Sequence, residues 1–233
     1  MKLEVARALR LHESRRDTIN DHLRVFERDG RLIAVLVSGS ETGWDSGWLA
    51  GQRLLLDQFA AAHDAGEDLA TGFERAAAGF VERAGELDVD PNDDFFSPSA
   101  EALAVSIVGS SATVAWLGRL SIVLVRDGRV LARSPEHTLG HRRPELAASE
   151  LAGIVARVIR PGAHEPEIMQ LDVQPGDRLL LVDGRALEQL TQAELCRDLP
   201  PQELAEILVD LSFERCMRAH ACCVIEALRE LSP

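Results

Sequence analysis

No stretch of this sequence approaches the roughly 18 consecutive apolar residues that a membrane-spanning helix needs, and Met1 to Arg10 is amphipathic without a signal-peptide cleavage pattern. The expectation is a cytoplasmic protein with no membrane partner. Basic residues are scarce: 25 Lys and Arg face 38 Asp and Glu, a formal net charge of −13. Affinity for nucleic acid comes largely from Lys and Arg displacing counterions from phosphates, so this balance argues against a nucleic-acid partner. The four cysteines, Cys196, Cys216, Cys222 and Cys223, crowd the last fifth of the chain without CxxC spacing or clustered histidines. They lack the pattern of a zinc site and are expected to be small apolar residues of a reduced interior.

What the chain has is enough apolar material, 46% of 233 residues, to bury a full core. No repeat or linker divides it, so residues 1–233 are expected to form a single domain. Arg31 to Val37 is a nearly continuous apolar run after the turn pair Asp29-Gly30, which predicts a buried strand with a hairpin partner at Leu23 to Glu27. Apolar residues at helical spacing predict helices over Trp48 to Phe59 and Leu69 to Ala84. Leu87 to Ser99 is an acidic loop without periodicity, and its part from Asp88 to Asp94 is either an interface or a solvated tether. Runs rich in β-branched residues then predict a meander of strands at Ala102 to Val108, Ala112 to Leu117, Ser121 to Val125 and Arg129 to Arg133. A helix over Pro144 to Val155, strands at Ile168 to Val173 and Arg178 to Val182, helices at Thr191 to Asp198 and Pro201 to Phe213, and a strand at Ala221 to Ala227 complete the prediction. Helices segregated from antiparallel strands favour a layered α+β sandwich over a doubly wound fold.

Two segments carry a family resemblance. Gly118 to Arg133, GRLSIVLVRDGRVLAR, resembles the GDSR strand and hairpin of type-2C (PPM) metal-dependent serine/threonine phosphatases, and Pro175 to Gly184, PGDRLLLVDG, resembles their GDRLLLCSDG element. An R-x-x-N-E-D-like stretch at Arg16 to Asp21 and a strand entering a glycine turn at Val35 to Gly47 agree in order. The resemblance implies a four-layer α-β-β-α sandwich of mostly antiparallel sheets flanked by helical pairs, with a dinuclear Mg²⁺ or Mn²⁺ site at one end. Two such ions about 3.5 to 4 Å apart repel by roughly 17 kcal/mol at an effective dielectric near 20, and only several carboxylates, one of them shared, offset that.

Carried onto this chain, the resemblance leaves that ligand set depleted. Asp21 and Asp183 match the acidic residue of the N-terminal motif and the aspartate of SDG. The bridging aspartate of the family's DGMGG turn falls on Ser38 or Gly39, the aspartate of GDSR on Arg119, the terminal aspartate on Ala219, and the glutamate beside Asp21 on Asn20. Arg16 matches the phosphate-contacting arginine; alternatively, Arg15 and Arg16 are solvated surface charges. Glu41 and Asp45 either relocate a ligand, holding one Mg²⁺ or Mn²⁺ with Asp21 and Asp183, or are loop carboxylates in water. Trp44 and Trp48 cap the old site, form a partner surface, or anchor helix to sheet. His137 and His141 have ligand-like spacing but no third ligand nearby, which makes them loop histidines. The pairing of His220 and Cys222 as nucleophile and base is discounted.

The expected function is that of a catalytically inactive phosphatase-like protein with no cofactor, binding a protein partner such as a kinase, a phosphoprotein or a subunit of the same system. The alternative is a divergent metal-dependent phosphatase acting on phosphoserine or phosphothreonine through Asp21, Asp183 and relocated carboxylates. Oligomeric state is left open.

Overall fold

The computed structural model describes residues 1–11, 18–39, 47–86, 99–160, 165–216 and 220–228. The strands are β1 (Lys2–Arg10), β2 (Leu23–Arg28), β3 (Arg31–Gly39), β4 (Ala100–Val108), β5 (Ser111–Leu117), β6 (Ser121–Arg126), β7 (Arg129–Arg133), β8 (Glu167–Asp172), β9 (Arg178–Val182) and β10 (His220–Leu228). The helices are α1 (Gly47–Asp64), α2 (Leu69–Glu86), α3 (Leu139–Arg142), α4 (Gly184–Glu188), α5 (Gln192–Leu195) and α6 (Pro201–Cys216). Among the described residues they form two five-stranded antiparallel sheets, ordered β1-β10-β9-β6-β7 and β2-β3-β4-β5-β8.

Each central strand is buried on both faces, which is why the sequence shows continuous apolar runs rather than alternation. On β3, Ala34 and Leu36 point between the sheets with Leu103, Val105, Ile122 and Leu181, whereas Val35 and Val37 point outward to Leu55, Phe59, Phe73 and Phe80 of α1 and α2. On the opposite side, Val123, Leu180, Val182, Cys222 and Val224 receive Leu204, Leu208 and Val209 of α6. Three apolar layers therefore join four structural layers, and each fully buried Leu or Phe contributes about 2 kcal/mol or more. Among the described residues, α6 covers the first sheet together with the short α4 and α5.

The two Asp-Gly turns behave as expected. Asp29 and Gly30 have φ of 51° and 75°, and Asp127 and Gly128 have 50° and 70°. This is the left-handed pair that a tight two-residue hairpin requires.

Four expectations need correction. The predicted meander is two hairpins: β4 and β5 lie in one sheet and β6 and β7 in the other, the chain crossing over between Leu117 and Ser121. Pro144 to Val155 is not a helix but a short 3-10 turn at Pro144–Leu146 followed by turns. Its backbone is drawn elsewhere: the amides of Leu139 and Gly140 donate to the carbonyls of Ile154 and Ala152, and Ala156 donates to His137. Leu151 and Ile154 stand about half exposed, so no apolar face would hold a helix there. Residues 2–10, read only as amphipathic, form the edge strand β1, paired along its length with β10. The helix expected at Thr191 to Asp198 shrinks to Gln192–Leu195 behind a Thr191–Glu194 capping box. Among the described residues, no helix is long and apolar enough to cross a membrane.

Candidate functional site

The crossover from β5 to β6 places the chemistry. Gly118 has φ +106°, and a Cβ there would stand 2.5 Å from Glu101 Cγ. The entry to α4, Asp183-Gly184, lies equally close: a Cβ on Gly184 would meet the Arg119 carbonyl and would stand 2.8 Å from Glu136 Cδ. Two glycines thus let three segments converge, namely the start of β4, the crossover and the end of β9. The register adds a fourth, since Ser38 on β3 faces Glu101 on β4.

Ser38, Glu101, Arg119 and Asp183 therefore share one end of the sandwich. Ser38 is half-buried and carries no charge into the position that the resemblance assigns to a bridging aspartate. Gly39 ends β3 beside it, opposite Ala100. Arg119 is buried, and its guanidinium is taken up by protein groups: NH2 lies 3.0 Å from Glu188 Oε1, Nε 3.4 Å from Glu136 Oε2, and NH1 3.3 Å from the Gly153 carbonyl. Glu136 is held from its other side by Arg133 at 2.6 Å.

Glu101 was not among the sequence candidates. It is 6% exposed, and one carboxylate oxygen accepts the Arg119 backbone N–H. Burial first, and the neighbouring Asp183 charge second, push its pKa up from 4.5 to about 7. The signal in the sequence was a single acid at the start of an otherwise apolar strand, AEALAVSIV. Asp183 caps α4, its Oδ1 accepting the Arg185 N–H at 2.7 Å.

Asp21 occupies a 3-10 turn, Ile19–Asp21, next to the end of β3, where the Val37 N–H donates to the His22 carbonyl at 2.8 Å. Both of its oxygens are engaged. Oδ1 lies 2.6 Å from Arg53 Nε, and Oδ2 accepts the Thr18 N–H at 2.8 Å and the Thr18 hydroxyl at 3.1 Å. Chiefly through the Arg53 hydrogen bond, its pKa is lowered from 3.8 to about 2. Asn20 turns its carbonyl to Arg24 Nε at 3.3 Å and its side chain toward Arg7 at 3.5 Å. Arg16, Glu41, Trp44, Asp45 and Ala219 lie outside the described residues, as does most of the acidic loop.

His137 is a buried structural residue. It stacks on Trp116 with centroids 5.8 Å apart, its Nδ1 accepts the Gly118 N–H at 3.2 Å, and its Nε2 lies 3.1 Å from Glu167 Oε1. Burial lowers its pKa. His141 is exposed in α3, where its backbone N–H donates to the Thr138 hydroxyl. The two do not form a site together.

A two-metal centre needs several carboxylates with free oxygens. The described residues do not fit one: Arg119 brings a cation, Ser38 no charge, Asp21 has both oxygens committed, and Asp183 has one oxygen committed to a helix cap. Among the described residues, no group of three or more His, Cys, Asp or Glu is placed to hold a metal ion.

Compared by sequence, the chain matches no family model and no curated protein. Compared by structure, it is similar over nearly its whole length to bacterial phosphatases. Serine/threonine phosphatase Stp1 from Staphylococcus aureus superposes with a TM-score of 0.79 at 13% identity, covering 99% of this chain and 96% of that one. PppA, a key regulatory component of T6SS in Pseudomonas aeruginosa, gives 0.75 at 18%, covering 98% and 99%. The catalytic domain of serine threonine protein phosphatase PstP, in complex with two manganese ions, gives 0.71 at 18%, covering 98% and 100%. The chain therefore has a PPM phosphatase-like fold.

Proposed function

We propose that this chain is a phosphatase-like protein without turnover, serving as a protein-binding or regulatory module in a phosphorylation-linked system. Arg119 carries the reading. At the position where the resemblance puts a metal-ligating aspartate there is a buried guanidinium, locked to Glu136 and Glu188. A single lost ligand would leave a weakened metal site; a built-in cation with its own counter-charges is a replacement for one. The partner would be a kinase, a phosphoprotein or a subunit of the same assembly, and the likeness to PppA, a regulatory component of T6SS, supports a regulatory setting.

The experiment incubates the full chain with Mn²⁺ and a phosphate-ester reporter and compares it with Asp183→Ala and Asp21→Ala. No metal-dependent turnover is expected from any of the three. Turnover abolished by either substitution would overturn the proposal. Calorimetry with Mn²⁺ separates metal binding without turnover.

A second reading, a divergent phosphatase with a relocated or single-metal site, draws on Glu101, a carboxylate outside the family pattern that lies between Ser38 and Asp183. It requires turnover that falls with Glu101→Gln. For the binding role, a pull-down from the native host with and without phosphatase treatment is expected to retain a partner, and recovery of none in either arm counts against it.

A further inference from the structure

Cys216 and His220 form a pair that the phosphatase-like reading leaves unused. The last residue of α6 supplies the thiol and the first residue of β10 supplies the imidazole. Cys216 Sγ lies 2.8 Å from His220 Nε2 and 3.0 Å from the Ser212 carbonyl. His220 is 3% exposed, whereas Cys216 is only half-buried. The ring is thus buried while Cys216 keeps part of its surface exposed. Arg10 faces His220 in the β1–β10 register, with its guanidinium 5.3 Å from the centre of the Phe213 ring and 3.7 Å from Asp210.

We propose that Cys216 is a reactive thiol, with His220 as its proton acceptor, and that it is oxidised by hydroperoxides to a sulfenic acid. The thiol proton passes to His220 Nε2, leaving a thiolate beside an imidazolium. The sulfur lone pair attacks one peroxide oxygen, an S–O bond forms, and the O–O bond breaks. The departing oxygen takes the proton from His220. The thiol and hydroperoxide become a sulfenic acid and an alcohol, or water when the oxidant is hydrogen peroxide; sulfur loses two electrons and the peroxide gains them. The C-terminal end of α6 favours the imidazolium and opposes the thiolate, so the ion pair depends on direct contact between its two members.

The other three thiols lack this arrangement and serve as internal comparisons. Cys222 and Cys223 are fully buried, and burial pushes the Cys223 thiol up to about 12 and Cys222 higher still. Cys196 is half-buried and is pushed up by burial alone. The site also has a definite place. Cys222 pairs with Val182, so His220, two residues earlier on β10, stands level with the start of α4 at Asp183-Gly184. An oxidised Cys216 would sit at the same end of the sandwich as the degenerate centre.

The test treats the full chain with limiting hydrogen peroxide, traps sulfenic acid with dimedone, and maps the adduct by peptide mass spectrometry. Initial rates of iodoacetamide labelling are read in parallel. Cys216 should react about tenfold faster than Cys196, and His220→Gln should slow Cys216 about tenfold while leaving Cys196 unchanged. Equal rates at Cys216 and Cys196 in the native chain, or an unchanged Cys216 rate in the folded variant, would overturn the proposal. Because His220 is buried, circular dichroism decides whether the variant folds. If it does not, the wild-type chain is labelled in concentrated urea, where the Cys216 preference should collapse to near unity; a preference that persists there refutes a role for the folded pair.

Discussion

Replacing Glu101 with Gln should remove a pH-dependent weakness from the fold. The carboxyl titrates at about 7 in the folded chain against an ordinary 4.5. Between those values the native state holds a proton that the unfolded state has lost, so stability falls as pH rises through the window. The stabilising effect of the neutral acid is complete below 4.5 and gone above about 7. Each pH unit is worth about 1.4 kcal/mol, so the whole span corresponds to roughly 3 kcal/mol. Glutamine keeps the carbonyl oxygen that accepts the Arg119 N–H but cannot ionise. Other groups act in or near this range with the opposite sign. His137 and His63 have lowered values, and the stability they provide above 6.5 is lost as pH falls. Asp21 and Glu194, both held near 2, lose theirs only on further acidification. The difference between variant and wild type isolates Glu101. Urea unfolding from pH 4.5 to 8 should show the two nearly equal at the acid end and Glu101→Gln the more stable by roughly 3 kcal/mol at the alkaline end. A difference independent of pH would refute the claim that a desolvated carboxyl sits beside Asp183.

Two more substitutions probe the same end of the molecule. Arg119→Met should cost about 2–3 kcal/mol, below the full penalty of breaking a buried pair because Glu136 keeps Arg133 and Glu188 is half exposed; thermal melting would drop by several degrees, and adding Glu136→Gln should restore part of the loss. A single-variant cost under about 1 kcal/mol would mean that the guanidinium holds nothing together. Gly118→Ala should cost about 3 kcal/mol, from a side chain at φ +106° and a Cβ driven into Glu101. Near wild-type melting there would contradict the close approach of crossover and β4.

Much of the fold was legible in the sequence because its signals are local. The Asp-Gly turns at 29–30 and 127–128 dictate hairpins whatever surrounds them, and the spacing of Leu55, Phe59, Phe73 and Phe80 buries one face of each helix. The resemblance at Gly118 to Arg133 and Pro175 to Gly184 was enough to expect the α-β-β-α sandwich. Among site positions, the residues that the resemblance sets at two ligand positions, Ser38 and Arg119, carry no carboxylate, and residue type is readable without coordinates.

Tertiary structure alone decided the rest, because those facts depend on partners distant in the chain. Nothing local says that β5 and β6 belong to different sheets, or that Pro144 to Val155 lends its backbone to residues 137–140 instead of winding into a helix. Arg119 became a buried, neutralised cation only when Glu136 and Glu188 closed on it from separate elements. Glu101 and His220 acquired chemical character the same way, one from desolvation beside Asp183 and the other from the arrival of Cys216 across a helix end. A residue's type is written in the chain, but its proton affinity and its neighbours are properties of the space it is folded into.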